Sequence, residues 1–172
     1  MRFSTPFWLV MTLPLQAVFA QGALGLFEAH RDVGAVKHAG SVTYDQAKQT
    51  YSISGSGTNL WYDQDEFHWA WKSIKGDFIL RTRARFLGEG VDPHRKLGWM
   101  VRASQSGQAA YVDGTVHGDG LTSLQFRRTL GGNTEEIKSA ITGADVIQLA
   151  REGNTFVLSV ARAGEPFATS VL

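Results

Sequence analysis

The sequence predicts an all-β fold, an antiparallel β-sandwich. Short runs in which apolar and polar residues alternate follow one another along most of the chain, and glycine-containing turns separate them at regular intervals. No segment keeps the i, i+3, i+4 apolar spacing of an amphipathic helix over three turns. About ten strands at this spacing are typical of a sandwich or a barrel.

The first half of the chain contains five predicted strands. They lie at 24–28, 41–44, 51–54, 66–74 and 78–86. In the last of these, apolar or small residues alternate with Arg81, Arg83 and Arg85, which is the period of a strand with one buried face. We interpret the arginine stripe as the solvated outer face of a sheet, because the chain has almost no net charge.

The second half continues in the same pattern. Strands are predicted at 98–102, 111–114, 124–127, 135–141, 146–151 and 155–160. The glycines of the sequence HGDG at 117–120 indicate a turn between two of them. Residues 162–166 have the composition of another hairpin turn, but 167–172 is barely long enough for its return strand. We therefore expect a C-terminal sheet edge without a partner, in a domain that lacks its last strands because it is a fragment or a shortened relative.

Residues 1–20 have the organisation of a secretory signal peptide. Arg2 supplies the positive charge at its start, residues 7–15 form the apolar middle, and residues 17–20 form the region before the expected cleavage site after Ala20. The apolar run is too short for a membrane anchor and is interrupted by Pro14, so no membrane span is expected after its removal. The exported protein is then predicted to be a single domain, residues 21–172, in the periplasm or outside the cell.

Charge and cysteine content exclude several classes of protein. Removing residues 1–20 takes away one basic residue and no acid, so 17 basic residues become 16 and equal the 16 acidic ones. A neutral domain is not expected to bind nucleic acid or an anionic membrane surface. The chain has no cysteine, so its stability must come from a conventional core rather than from disulfides. No cofactor or metal-binding motif occurs, and none is expected.

The polar side of the strands between residues 96 and 128 is the candidate binding surface. One face of this sheet is expected to be wet, and its side chains suit sugars or other polar ligands. The residues that we select as ligand-binding candidates are Trp61, His68, Arg102, Asp113, His117, Asp119, Gln125 and Arg127.

The strand arginines also have a structural interpretation. Planar guanidinium and amide groups such as those of Arg102, Gln125 and Arg127 bind hydroxyls or carboxylates with two hydrogen bonds. The same side chains are equally compatible with a solvated outer face that has cross-strand partners, for example Asp113 or Glu136. The sequence leaves both interpretations open.

The residues around the HGDG turn allow two interpretations as well. His117 and Asp119, together with Asp113, contain the groups needed for a metal site or an acid–base pair. The glycines beside them favour a tight turn in which the histidine and the aspartate cap backbone groups. Residue type is the only support for the metal site, so we favour the turn.

The tryptophans divide into two groups. Trp69 and Trp71 share a strand face with Phe67, which favours packing in the interior. Trp61 follows a glycine-containing segment and precedes Tyr62, so we expect it on a loop, where an indole ring can stack on a sugar ring.

Five motifs occur in a specific order along the chain. They are LFEAHRDVG at 26–34, AGSVTYD at 39–45, GSGTNLW at 55–61, PHRK at 93–96 and HGDGLTSLQ at 117–125. Over residues 24–171 the sequence resembles the N-terminal concanavalin-A-like domain of exported bacterial TolB-like proteins, which are often labelled biopolymer-transport proteins. The resemblance implies a jelly-roll sandwich, commonly followed by further closing strands and a propeller, neither of which is present here. It assigns no catalytic residues.

Three functions remain as hypotheses. The first is a non-catalytic exported lectin-like domain that binds a glycan or a polar cell-envelope ligand. The second is a protein–protein module that docks a partner at its open C-terminal edge. The third is a glycan-cleaving enzyme that uses Asp63, Asp65 or Glu66, although no pair of carboxylates on one strand face supports it.

Overall fold

A computed structural model of the protein describes residues 24–172, so the predicted signal peptide at 1–20 lies outside the described residues. This part of the chain is all-β and has no helix, and thus none that is long and apolar enough to cross a membrane. Its strands are β1 (Ala29–Val33), β2 (Ser41–Asp45), β3 (Thr50–Ser54), β4 (Phe67–Trp71), β5 (Phe78–Arg83), β6 (Lys96–Arg102), β7 (Tyr111–His117), β8 (Thr122–Arg127), β9 (Glu135–Lys138), β10 (Val146–Glu152), β11 (Thr155–Ala161) and β12 (Ala168–Val171).

Two four-stranded sheets form the layers of a sandwich. One has the strand order β12-β11-β10-β5 and the other the order β6-β7-β8-β9, with antiparallel pairing throughout. Strand β10 of the first sheet packs against β6 and β7 of the second. The predicted fold class, an all-β sandwich, is therefore confirmed.

The hydrophobic core lies between these two sheets. Its buried members are Val116, Leu124, Ala144, Ile147, Leu149, Leu158 and Val160. Gly114 lets the two layers approach closely, because a Cβ atom at this position would lie 2.3 Å from Leu158 Cδ1. Burial of one leucine or isoleucine side chain stabilises a fold by ~1.5–3 kcal/mol, so this cluster is a major source of stability.

Two smaller sheets complete the fold. Strand β1 pairs with β4, and β2 pairs with β3. On β4, Trp69 contacts both Phe67 and Trp71, with ring centroids 5.8 and 6.4 Å apart. The sequence favoured packing of these tryptophans in the interior; the structure has them packed on one another, but half-buried rather than fully enclosed.

Most of the predicted strands occur within a few residues of the expected positions. Strand β5 alternates between half-buried and exposed residues along its whole length, as its period predicted. The HGDG turn also forms, with Gly120 at φ +93° and its N–H donating to the His117 carbonyl. The strand predicted at 24–28 is wrong, because Gly25 adopts φ +59° there and β1 begins only at Ala29.

Candidate functional site

The sheet β6-β7-β8-β9 has one apolar side and one polar side. Its apolar side faces the core through Val116 and Leu124. Side chains alternate along a strand, so the intervening residues point to the opposite side. These residues form a surface that we call the polar face: Lys96, Met100, Arg102, Tyr111, Asp113, Thr115, His117, Ser123, Gln125, Arg127 and Glu136.

The polar face is buried, and not wet as the alternation suggested. Asp113, His117, Gln125 and Arg127 expose between 0 and 4% of their surface. The chain segment 59–66, here called the crossing segment, is hydrogen-bonded to side chains at several points of this face, from Lys96 to Arg127. The expectation of a solvent-exposed recognition surface is therefore wrong for these residues.

Two predicted ligand-binding arginines are held in an internal cluster. Asp65 Oδ2 accepts hydrogen bonds of 2.7 Å from Arg102 Nη1 and from Arg127 Nη1, and Asp65 Oδ1 accepts a third, also of 2.7 Å, from Arg127 Nη2. All three side chains are fully buried. We call Asp65, Arg102 and Arg127 the arginine cluster. Both guanidinium groups have partners within the described chain, although Arg102 Nε makes no hydrogen bond there, and ligand binding by these arginines stays a prediction.

The arginine cluster fastens the crossing segment to the sheet. Arg127 also donates to the carbonyl oxygens of Tyr62 and Gly132. Tyr111 Oη donates to the Leu60 carbonyl at 2.7 Å, and burial raises the pKa of this phenol. A buried charge without its partner destabilises a fold strongly, so Asp65 has a structural role here.

The other half of the polar face contains polar atoms without partners. Asp113 Oδ1, His117 Nδ1, Ser123 Oγ and Gln125 Oε1 are buried and make no hydrogen bond within the described part of the chain. Gln125 Nε2 donates to Glu136 Oε1 at 2.9 Å and lies 3.3 Å from His117 Nε2. We call Asp113, His117, Ser123 and Gln125 the unpaired cluster. Buried polar atoms normally have partners, which makes four together a candidate site.

Burial keeps the unpaired cluster close to electrically neutral. It raises the pKa of Asp113 to about 8, although the nearby Lys96 ammonium opposes the shift. Burial and the same ammonium lower the pKa of His117 to about 4. At pH 7 the Asp113 carboxyl is therefore mostly protonated and able to donate, and the His117 ring is neutral.

The surroundings of the unpaired cluster include groups that can move. Lys96 Nζ reaches the crossing segment and donates to Asn59 Oδ1 at 3.2 Å. The exposed His94 ring meets the His117 ring edge-on, with centroids 5.8 Å apart. A cavity of about 240 Å³ opens beside His117 at the end of the sandwich. Its lining includes Leu97, Val116 and Ala144, so it lies on the apolar side of the sheet and not over the polar face.

Trp61 is half-buried on the crossing segment, where its carbonyl accepts from Thr134 N at 3.2 Å. The neighbouring Tyr62 is 63% exposed. Trp61 thus lies on a non-strand segment, as the sequence predicted, and Tyr62 is an accessible aromatic residue next to it in the chain. Aromatic rings next to hydrogen-bonding groups are typical of sites that bind sugars.

Two predicted residues lie outside the polar face. His68 is on β4, its side chain is 2% exposed, and its Nδ1 is hydrogen-bonded to Asp32. Asp119 is exposed in the HGDG turn and accepts from Leu121 N at 3.0 Å, which lowers the pKa of its carboxyl. The turn interpretation thus fits Asp119. It does not fit His117, whose side chain belongs to the polar face.

The sequence-based selection missed Lys96, Ser123 and Glu136. Ser123 lies two residues before Gln125, so the period of the strand could have identified it. Glu136 was considered only as a cross-strand partner, and it has that role with Gln125. Lys96 lies at even spacing from Arg102, so the strand period could also have identified it, but its contact with Asn59 of the crossing segment had no local signal.

Two of the three carboxylates considered for glycan cleavage have hydrogen-bond partners within the chain. Asp65 is enclosed in the arginine cluster, and Glu66 Oε2 accepts from both N and Oγ1 of Thr58. Within residues 24–172 no three His, Cys, Asp or Glu side chains are grouped to hold a metal ion. No protein-family model, no curated protein and no solved structure matches this chain.

Proposed function

We propose that this protein is a non-catalytic, lectin-like module that binds a neutral, hydroxyl-rich ligand, a glycan or a cell-envelope polymer, at the unpaired cluster. One observation carries the proposal: the four side chains of the unpaired cluster, which are neighbours on one sheet face, each keep a buried polar atom without a partner within the described chain. Leaving such a group unsatisfied costs ~1–3 kcal/mol, so a ligand that satisfies it gains that free energy.

The chemistry of the cluster suits hydroxyl groups. The protonated Asp113 carboxyl and the Ser123 hydroxyl can donate, and Gln125 Oε1 accepts. A sugar hydroxyl both donates and accepts, so it can pair with either kind of atom. Because the Asp113 carboxyl and the His117 ring are neutral near pH 7, a neutral polyol is a better match than a charged ligand.

Trp61 and Tyr62 of the crossing segment are the proposed apolar part of the site; their backbone carbonyls accept from Thr134 N and Arg127 Nη2, beside the arginine cluster. An aromatic ring covers the C–H face of a sugar while hydrogen bonds read its hydroxyls. The Lys96 side chain must swing away from Asn59 to admit a ligand, which breaks one hydrogen bond between flexible groups. Side-chain rearrangements of this size are common on binding.

The concanavalin-A-like jelly-roll connectivity, the TolB-like relationship and export by the signal peptide belong to the same proposal. The all-β sandwich is compatible with them. A periplasmic or extracellular location would place the unpaired cluster where envelope glycans occur.

A glycan array that includes bacterial cell-wall oligosaccharides tests the proposal, followed by calorimetry with the best binder. We expect Ser123→Ala and Trp61→Ala each to weaken binding at least tenfold. Ser52→Ala is the matched control, because it removes an exposed serine hydroxyl from a different sheet and should leave binding unchanged. No binding to the array, or equal affinity of Ser123→Ala and wild type, would refute the proposal.

A protein–protein module remains the second candidate, supported by β12. This strand is at the edge of its sheet, pairs with β11, contains the exposed Val171 and follows the exposed Phe167. An extended partner strand could add to this edge. Val171→Lys should then abolish binding of the protein partner without affecting glycan binding. Unchanged binding of the partner would exclude the β12 edge as its docking site.

A further inference from the structure

Strands β1 and β4 bring two histidines and an aspartate together outside the proposed glycan site. Asp32 is paired with His68 across the strands, and His30 is two residues away on the same face of β1. His68 Nδ1 lies 2.7 Å from Asp32 Oδ1, and His68 Nε2 lies 3.0 Å from His30 Nδ1. The three side chains therefore form a hydrogen-bonded chain that ends at an exposed imidazole.

The central histidine is held rigidly. Gly40 N donates to both oxygens of Asp32, at 3.1 and 3.2 Å. The His68 ring packs directly on Gly40, where an added Cβ atom would lie 2.1 Å from ring atom Cγ, and a Cβ atom at Gly55 would lie 2.9 Å from His68 Cβ. The ring can neither flip nor withdraw without moving these segments.

The same arrangement fixes which nitrogen of His68 is available. An ionised carboxylate only accepts hydrogen bonds, so Nδ1 of His68 carries the hydrogen that Asp32 receives. Nε2 of His68 and Nδ1 of His30 then face each other with one proton between them. A histidine that donates its other N–H to a carboxylate has the orientation found for metal-ligating histidines.

The spacing of the two facing nitrogens is close to that required by a metal ion. Two Zn–N bonds of ~2.0–2.1 Å at the tetrahedral angle place their nitrogens ~3.3 Å apart. The observed separation is 3.0 Å, and His30 is exposed and free to tilt. His30 would turn and shift so that the lone pairs of both nitrogens point at the ion.

We propose that His30 and His68 bind one divalent transition-metal ion that favours imidazole nitrogen, such as Zn²⁺ or Cu²⁺. When the ion replaces the hydrogen bond between the rings, the proton on His30 Nδ1 moves by way of solvent to Nε2 of the same ring, so that both ligands are neutral imidazoles, with Asp32 as the positioning residue for His68. Within the described part of the chain no group of three such side chains is placed to hold an ion. The remaining coordination positions are then filled by water or by a donor atom from outside, which makes the site an open one.

Titration of the untagged full chain with ZnCl₂ tests the proposal by calorimetry. We expect one Zn²⁺ per chain, at least a tenfold loss of affinity in His30→Ala, and a loss of about 10- to 100-fold in Asp32→Asn. His30 is exposed, so its replacement should leave the fold intact, as near-ultraviolet circular dichroism can verify. His94→Ala removes a different exposed imidazole and should bind Zn²⁺ as wild type does.

Copper spectroscopy identifies the ligands directly. With one equivalent of CuCl₂, the wild-type spectrum should contain hyperfine coupling to two imidazole nitrogens, and His30→Ala should lose that pattern. The proposal is overturned if wild type binds neither ion at millimolar concentration, or if His30→Ala binds Zn²⁺ with unchanged affinity. Addition of Mg²⁺ should not displace the ion, because Mg²⁺ prefers oxygen ligands.

Discussion

The two halves of the polar face contain similar residue types but differ in how their polar atoms are satisfied. In the arginine cluster, Asp65 accepts from both guanidinium groups and backbone carbonyls accept further donors, so that Arg102 Nε is the one buried polar side-chain atom of its three described residues without a partner. In the unpaired cluster, each of four side chains keeps a buried atom without a partner. The difference teaches that burial alone does not mark a structural residue. A buried polar group is structural where the chain supplies its partner and is a binding candidate where it does not.

The largest effect should come from breaking the arginine cluster. Asp65→Ala leaves two buried arginines without their carboxylate, which should lower the free energy of unfolding by ~3–5 kcal/mol. Urea denaturation measures it. Glu135→Ala is the control, because its pair with Arg128 is exposed and should contribute only ~0–1 kcal/mol. A loss below about 1 kcal/mol for Asp65→Ala would contradict the structural role of this cluster.

The free energy of unfolding should depend on pH through Asp113, which belongs to the unpaired cluster. The pKa of Asp113 is about 8 in the folded protein and 3.8 for the free side chain, so the unfolded chain releases this proton first. The contribution of Asp113 to the free energy of unfolding should be highest below about pH 4. It should fall as pH rises towards about 8 and then level off. The expected slope is of order 1 kcal/mol per pH unit near pH 6.

Asp113→Asn should remove that slope, because the amide does not titrate. The measurement is urea denaturation of both proteins at several pH values, and the slope is the difference between the two curves. Identical pH profiles for variant and wild type would mean that Asp113 is ionised in the folded protein.

The smallest expected change in stability comes from removing one hydroxyl group in each of two variants. Thr134 Oγ1 is buried and hydrogen-bonded to Tyr111 Oη at 2.9 Å, so Thr134→Val should destabilise the protein by ~1–2 kcal/mol. Ser123 Oγ has no partner, so Ser123→Ala should leave stability unchanged or raise it slightly. Thermal unfolding of both variants measures the contrast. Equal losses in the two variants would show that Ser123 is hydrogen-bonded after all.

The sequence predicted the architecture well, because strand period is a local property. The alternation at Arg81 and Arg83 correctly identified an exposed outer face. The same alternation identified the polar side of β7 and β8, but it could not reveal what covers that side. Gln125 and Arg127 alternate with apolar residues as surface residues do. They are nevertheless buried, and the segment that reaches Arg127 is distant in the sequence.

Those contacts explain why the candidate site was only partly predicted. Asp65 is 37 residues from Arg102 and 62 from Arg127, and the crossing segment that carries it has no regular period. Asp113, His117 and Gln125 were selected because of their residue types and strand positions. The arginines differ from these residues because they are hydrogen-bonded to Asp65. Those hydrogen bonds arise from tertiary structure, which local sequence patterns do not reveal.

Nuclear magnetic resonance of the side chains tests the central claim most directly. The protein is titrated with the oligosaccharide that binds best on the array while the Gln125 amide and the Arg127 guanidinium signals are followed. We predict that the Gln125 signals and the Asp113 carboxyl signal shift on binding and that the Arg127 signals do not. Shifts confined to Arg127, or no shift at Gln125 under saturating ligand, would contradict the account.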